Sequence, residues 1–155
     1  MEENNTTSGA ASQDVSTPAA TPTTAPAGGG SVGKGKILIV EDDKFLREML
    51  VKKLFEAGFD IQPAIDSPSA FESLSTRKPD VILLDLMLPG EDGFSILGKL
   101  RAAEETKETP VIILSNLGQQ DDVKKALDLG ATDFMVKANF TIDEIAKKLN
   151  ELIGK

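Results

Sequence analysis

The sequence predicts an α/β fold, a doubly wound, five-stranded parallel sheet flanked by five helices. Short runs of Val, Ile and Leu alternate with longer amphipathic segments five times along residues 34–155. The runs at 81–84 and 111–114 are apolar at every position, which is typical of strands covered by helices on both faces. We therefore expect one compact domain over residues 34–155, with its strands side by side in the interior.

Each of the five units combines a strand run with a helix that has its own start or stop signal. The predicted strands cover residues 36–40, 59–62, 81–84, 111–114 and 132–136. The predicted helices cover residues 44–57, 93–103 and 119–129, one begins at Ser67-Pro68, and the last follows the capping box Thr141–Glu144. Gly58 and Gly130 end helices, because glycine readily adopts the left-handed conformation of a C-terminal cap. Pro63 has no backbone N–H, so the second strand is predicted at an edge of the sheet.

Residues 1–33 differ in composition from the rest of the chain. Of these 33 residues, 24 are Ala, Thr, Ser, Gly or Pro. Such a segment buries too little apolar surface to offset the entropy lost on ordering, so we predict a disordered tail. The glycine-rich stretch that ends in Lys34-Gly35 resembles a phosphate-binding loop, but it lacks the final Ser or Thr and precedes a strand. We interpret that stretch as a linker.

Composition excludes several kinds of chemistry. The chain has no Cys, His, Trp or Tyr, which rules out thiolate and imidazole metal sites, Ser-His-Asp catalysis and phosphohistidine on this chain. A net charge of −8 argues against nucleic-acid binding and against docking on anionic lipid. The apolar runs are too short to cross a bilayer, and the N-terminus lacks the pattern of a secretory signal. We therefore expect a cytoplasmic protein without direct contact to membrane or nucleic acid.

The C-terminal ends of the predicted strands carry residues of complementary chemistry. Glu41-Asp42-Asp43 follows the first strand, Asp85 the third, Ser115 the fourth and Lys137 the fifth. Ligands of open parallel sheets bind beyond these strand ends. If the first and third strands are neighbours, the carboxylates converge, and a hard cation such as Mg²⁺ would relieve their repulsion.

This combination is suited to phosphoryl transfer. A carboxylate can act as the nucleophile, while a metal ion, a lysine and a hydroxyl stabilise the charge on the transferring group. A single acidic residue after a strand is more often the N-cap of the next helix. We therefore expect Asp43, Asp66 and Asp92 to be caps or loop residues.

Residues 36–155 resemble the receiver domain of response regulators, the family of chemotaxis-regulator-like phosphoacceptors. The matching motifs are ILIVEDD at 37–43 with Arg47, PDVILLDLMLPGEDG at 79–93, PVIILS at 110–115 and GATDFMVK at 130–137. The resemblance implies the flavodoxin-like strand order 2-1-3-4-5. It covers the whole predicted domain and excludes the tail. Because no output domain follows Lys155, we expect a single-domain regulator whose effector is a separate protein.

The resemblance also implies the roles of individual residues. Asp85 matches the aspartate that accepts the phosphoryl group. Asp42 would bind Mg²⁺ directly and Glu41 largely through water, together with Asp85 and the backbone carbonyl of Met87. The pocket would therefore form an aspartyl phosphate in the presence of magnesium.

Three further residues match the family's signalling machinery. Lys137 and Ser115 would contact the phosphoryl group, and Ser115 and Phe134 would form the switch that changes the partner-binding face. Two features depart from the family pattern: Ala138 follows the lysine where Pro is usual, and Phe134 lacks the phenol hydroxyl common at its position.

The function that this resemblance implies is a phosphorylation-dependent switch in two-component signalling or a phosphorelay. The phosphodonor would be a sensor histidine kinase or a phosphotransfer protein, and the chain would be a monomer or a weak, phosphorylation-dependent dimer. It would catalyse only its own phosphorylation and dephosphorylation, so we do not expect an enzyme. The alternatives are a pseudo-receiver that binds partners without phosphorylation and a Mg²⁺-dependent phosphohydrolase. An intact set of acidic, hydroxyl and lysine residues counts against the pseudo-receiver, and the lack of an insertion that could form a substrate cap counts against the hydrolase.

We expect the lifetime of the phosphorylated state to depend on two further positions. Met87 and Leu117 lie two residues past Asp85 and Ser115, where a side chain could guide the attacking water. Neither side chain can accept a proton or orient water by a hydrogen bond. We therefore predict a long-lived phosphorylated state.

Overall fold

The computed structural model describes residues 33–116 and 118–154. Its strands are β1 (Lys36–Val40), β2 (Asp60–Ala64), β3 (Val81–Asp85), β4 (Val111–Ser115) and β5 (Asp133–Val136). Its helices are α1 (Lys44–Glu56), α2 (Ser67–Thr76), α3 (Gly93–Ala102), α4 (Gln120–Asp128) and α5 (Ile142–Ile153), and a 3₁₀ turn, Lys137–Asn139, precedes α5. The predicted tail, residues 1–33, lies outside the described residues except for Gly33.

The strands form one parallel sheet in the order β2-β1-β3-β4-β5. This confirms both the predicted fold class and the strand order that the resemblance implied. Val40 of β1 lies opposite Leu84 of β3, and Asp85 lies opposite Leu114 of β4. The ends of β1, β3 and β4 therefore open onto the same edge of the sheet.

Side chains alternate between the two faces of the sheet, and each face has its own apolar core. One core contains Leu38, Ile82 and Ile113 under α2, α3 and α4. The other contains Ile39 and Leu83 under α1 and α5. Because both faces are covered, the central strands have no solvated face, which explains their continuous apolar sequence.

The predicted boundaries agree within one residue except in β2. That strand was predicted at 59–62, but it covers Asp60–Ala64 and includes Pro63. Phe59 is buried in the core against α1 and α5, so it behaves as an apolar anchor before the strand. Pro63 is accommodated because β2 is an edge strand that pairs only with β1, as predicted.

Helix termini follow the predicted signals. Asp43, Asp66 and Asp92 accept a hydrogen bond from a backbone N–H three residues later, which confirms that these acids are N-caps. For α2 the cap is therefore Asp66, one residue before the predicted start signal. Gly58 and Gly130 have φ of 104° and 107°, the conformation expected after a helix C-terminus. Among the helices of the described ranges, none has the length and apolar character needed to span a membrane.

Candidate functional site

Three carboxylates meet where β1 and β3 end. One oxygen each from Glu41, Asp42 and Asp85 lies within 4.8 Å of the others. Glu41 and Asp85 are buried, whereas Asp42 is exposed. The sequence predicted this convergence on the condition that the first and third strands are neighbours, and β1 does pair with β3. Asp42 leaves the cluster open to solvent on one side.

Lys137 reaches into this cluster from the end of β5. Its Nζ lies 2.8 Å from Glu41 Oε1 and 3.0 Å from Asp85 Oδ2. Because β4 lies between β5 and β3, the Lys137 side chain extends past the end of β4. It pairs there with Glu41, which follows β1, and with Asp85, the last residue of β3. Burial by itself would lower the pKa of Lys137, but its contacts with the two carboxylates raise that pKa above its usual value. Lys137 remains charged in this setting.

Glu41 is a buried acid whose pKa is strongly raised. Burial raises its pKa to about 7, against the opposing effects of Lys137 and of the Asp43 backbone N–H. That N–H donates to Glu41 Oε2 at 3.1 Å. Glu41 Oε1 is buried and lies beside the Lys137 ammonium, which is its ion-pair partner. Among the described residues, the cluster has three carboxylates and a single lysine ammonium, so negative charge exceeds positive charge.

The pocket fits a hard divalent cation. Its donors are all oxygens, which Mg²⁺ and Ca²⁺ prefer, and it offers no nitrogen or sulfur ligand for a softer metal. Within the part of the chain that the structure describes, three carboxylates face a single ammonium, so a divalent ion would supply the missing positive charge, and exposed Asp42 provides access. Met87 donates its backbone N–H to Asp85 Oδ1 at 3.0 Å. The predicted role of the Met87 carbonyl in binding the metal stays a prediction.

The two predicted switch residues occupy β4 and β5. Ser115 is the last residue of β4, fully buried, one position beyond the residue that pairs with Asp85. Phe134 lies in β5 opposite Ile113, half-buried against the core under α2, α3 and α4. Ala138, which replaces the usual Pro, lies in the 3₁₀ turn, and the Lys137–Ala138 bond is trans.

Two positions near the pocket belong to motifs noted in the sequence but were given no role there. A Cβ on Gly93 would lie 2.6 Å from both the carbonyl oxygen of Asp85 and the Cα of Leu86, so only glycine lets α3 pack this closely. Arg47 donates from Nη1 to the backbone carbonyls of Glu41 at 3.0 Å and Asp42 at 3.2 Å. In the sequence, the feature that could have indicated this role is the position of Arg47, one helical turn after the acidic residues that follow β1.

Of the two residues proposed to control the attacking water, the structure describes Met87. Met87 has 55% of its surface exposed, so its side chain stands at the surface beside the pocket. Leu117 lies outside the described residues.

Comparison with known proteins agrees with this geometry. Residues 37–150 match the family described as the response regulator receiver domain. RpaA of Synechocystis, a DNA-binding dual master transcriptional regulator, is 36% identical over 120 residues, which cover 77% of this chain and 49% of RpaA. The chain belongs to the response regulator receiver domain family.

Solved structures agree with the same assignment. The receiver domain of Francisella response regulator 1452 has 36% identity and a TM-score of 0.72, over 77% of this chain and 97% of that one. The BeF3-activated N-terminal receiver domain of RstA from Klebsiella pneumoniae has 28% identity and a TM-score of 0.71, over 77% and 99%.

Family membership sets the general context of the site. Receiver domains of two-component systems bind Mg²⁺ at an acidic pocket and interact with histidine kinases or phosphotransfer proteins. The chain spans about half the length of the curated relatives that it matches.

Proposed function

We propose that this chain is a phosphorylation-dependent signalling switch that accepts a phosphoryl group on Asp85 in the presence of Mg²⁺. The observation that carries the proposal is the position of the Asp85 carboxylate. It is buried, lies 3.0 Å from the Lys137 ammonium, and shares a pocket with Glu41 and Asp42. A carboxylate in this setting can act as a nucleophile toward a dianionic group that it would otherwise repel.

The proposed donor is the phosphohistidine of a sensor kinase or phosphotransfer protein. An Asp85 oxygen forms a bond to phosphorus, the phosphorus–nitrogen bond breaks, and the released imidazole takes a proton from solvent. Bound Mg²⁺ would neutralise charge on the phosphoryl oxygens. Lys137 supplies a second positive charge, and the Met87 N–H orients the carboxylate through Asp85 Oδ1. Glu41 and Asp42 would hold the metal.

Five further properties complete the proposal. Catalysis ends on the chain's own Asp85, so we do not class the protein as an enzyme. We propose a separate effector protein, no direct contact with nucleic acid or membrane, and a monomer or weak phosphorylation-dependent dimer. We also propose a cytoplasmic location, where a sensor kinase would present its phosphohistidine. The pseudo-receiver alternative has no support in the comparisons, and the complete acidic pocket with Lys137 counts against it.

The direct test is phosphorylation by a small phosphodonor such as acetyl phosphate. With Mg²⁺ present, intact-mass measurement should show one added phosphate that survives acid and is lost in base, as an acyl phosphate would be. Chelating the metal should prevent its addition. The proposal would be contradicted if neither the small donor nor any of a panel of phosphorylated kinases transferred phosphate to the chain.

We expect phosphorylation to alter the face formed by α4, β5 and α5. Contact of Ser115 with the phosphoryl group would free space for Phe134, which is half-buried beside α4. A beryllofluoride adduct, a phosphate mimic, should change amide hydrogen exchange in α4, β5 and α5. Changes confined to α1 and α2 would place the responding face elsewhere.

We expect the phosphorylated state to decay slowly, and we expect polar substitutions at Met87 and Leu117 to shorten its lifetime. Met87→Asn and Leu117→Glu introduce groups that can orient water, so each should shorten the lifetime by about tenfold. The measurement is phosphate loss after removal of the donor at saturating Mg²⁺. Leu127→Glu, at an exposed leucine of α4, serves as a control for added charge. Unchanged decay in both Met87→Asn and Leu117→Glu would mean that water access does not limit hydrolysis.

A further inference from the structure

Arg47 is the basic side chain that supports the backbone of the acidic loop. From the first half of α1, Nη1 donates to the carbonyl of Glu41 at 3.0 Å and to the carbonyl of Asp42 at 3.2 Å. Both acceptors are backbone oxygens, so the guanidinium does not neutralise either carboxylate by direct contact. Its contact instead sets the course of the chain that carries them.

This stretch of chain has little regular structure of its own. Strand β1 ends at Val40 and α1 begins at Lys44, so residues 41–43 lie between ladder and helix. At its strand end the Glu41 N–H donates to the carbonyl of Ala64 at 3.0 Å. At its helix end the Arg47 N–H donates to the carbonyl of Asp43 at 2.9 Å. The Arg47 side chain joins the segment between these two attachments.

We infer that Arg47 is a positioning residue of the metal pocket, holding the Glu41–Asp42 backbone so that the two carboxylates converge with Asp85. The inference rests on the proposed function in taking this pocket as the Mg²⁺ site. Groups that orient metal ligands commonly change metal affinity when they are removed, even though they do not touch the ion. Here the oriented element is the backbone between the two acids.

Charge and geometry predict opposite effects for loss of this side chain. Removing a cation beside an acidic pocket would, by electrostatics alone, strengthen the binding of a divalent metal. Loss of the support to the two carbonyls would instead loosen the acidic loop and weaken binding. The sign of the change therefore separates a positioning role from a simple charge effect.

The test is metal affinity of the unphosphorylated full chain. Mn²⁺ binding is followed by the electron paramagnetic resonance signal of the free ion, and Mg²⁺ binding by calorimetry. Arg47→Met should weaken binding of both ions by about tenfold. Arg47→Lys keeps the charge but replaces the planar guanidinium, so it should bind more weakly than the parent and more tightly than Arg47→Met. The control is Lys52→Met, which removes an exposed cation of the same helix and should leave affinity unchanged.

A second measurement separates positioning from general destabilisation. In phosphorylation by acetyl phosphate, the Mg²⁺ concentration for half-maximal rate should rise about tenfold in Arg47→Met, while the rate at saturating Mg²⁺ stays within about twofold. Binding by Arg47→Met that equals or exceeds the parent's would overturn the inference. If Arg47→Met does not fold, parent-like affinity in Arg47→Lys overturns it.

These outcomes are separate from failure of the proposed function. If the parent chain neither binds metal nor becomes phosphorylated, both the proposed function and this inference are wrong. If the parent does both and Arg47→Met binds metal at least as tightly as the parent, the proposed function stands and only the role of Arg47 is wrong.

Discussion

The Asp85→Asn variant is expected to lose phosphorylation, with uptake from acetyl phosphate at least a hundredfold slower than in the parent (roughly the effect of losing a nucleophile). The amide has nearly the shape of the carboxylate but is too weak a nucleophile to attack phosphorus. Asp85 is buried and lies 3.0 Å from Lys137 Nζ. We therefore expect no other nucleophile to replace its carboxylate at this position. Intact-mass measurement over time records the result.

The folded state should survive this change. The variant loses a buried ion pair but also removes one of three crowded carboxylates, so the two effects on the free energy of unfolding oppose each other. Asp66→Asn is the matched control, because Asp66 is the N-cap of α2 and Asn is an equally good cap. Phosphorylation of Asp85→Asn at the parent rate would show that another residue is the acceptor.

The Lys137→Ala variant should slow phosphorylation by about a hundredfold while Mg²⁺ affinity holds or rises. The ammonium lies 2.8 Å from Glu41 and 3.0 Å from Asp85, which are two of the three carboxylates proposed to bind the metal. A bound divalent ion would therefore share these oxygens with a positive charge, and removing that charge would favour the metal. The same charge is lost to the transferring phosphoryl group, which slows the chemistry.

Two measurements on the same sample decide this prediction. Calorimetry gives the Mg²⁺ affinity, and the phosphorylation rate is taken at saturating Mg²⁺ so that metal occupancy does not limit it. Lys107→Ala removes a lysine whose ion pair with Glu104 is exposed, and it should change neither quantity. Weaker metal binding with an unchanged rate would reverse the role assigned to Lys137.

Local patterns in the sequence determined most of the fold. The alternation of apolar runs with amphipathic segments, the acidic caps and the glycine stops placed the five strands and five helices, because these signals depend on near neighbours in the chain. The same patterns predicted Glu41, Asp85, Ser115 and Lys137 at strand ends. The predicted extent of β2 was wrong, because the burial of Phe59 and the tolerance of Pro63 depend on what packs beside that strand.

Only the tertiary structure decided how those strand ends combine. Local periodicity does not encode strand order, so the sequence could state the convergence of Glu41, Asp42 and Asp85 only on condition that β1 and β3 pair. The ion pair of Lys137 with Glu41 likewise joins residues far apart in the chain. The hydrogen bonds from Arg47 to two backbone carbonyls depend on how the start of α1 is oriented relative to the end of β1. A sequence shows which groups stand at the ends of strands, whereas packing of the strands and helices sets the distances between those groups.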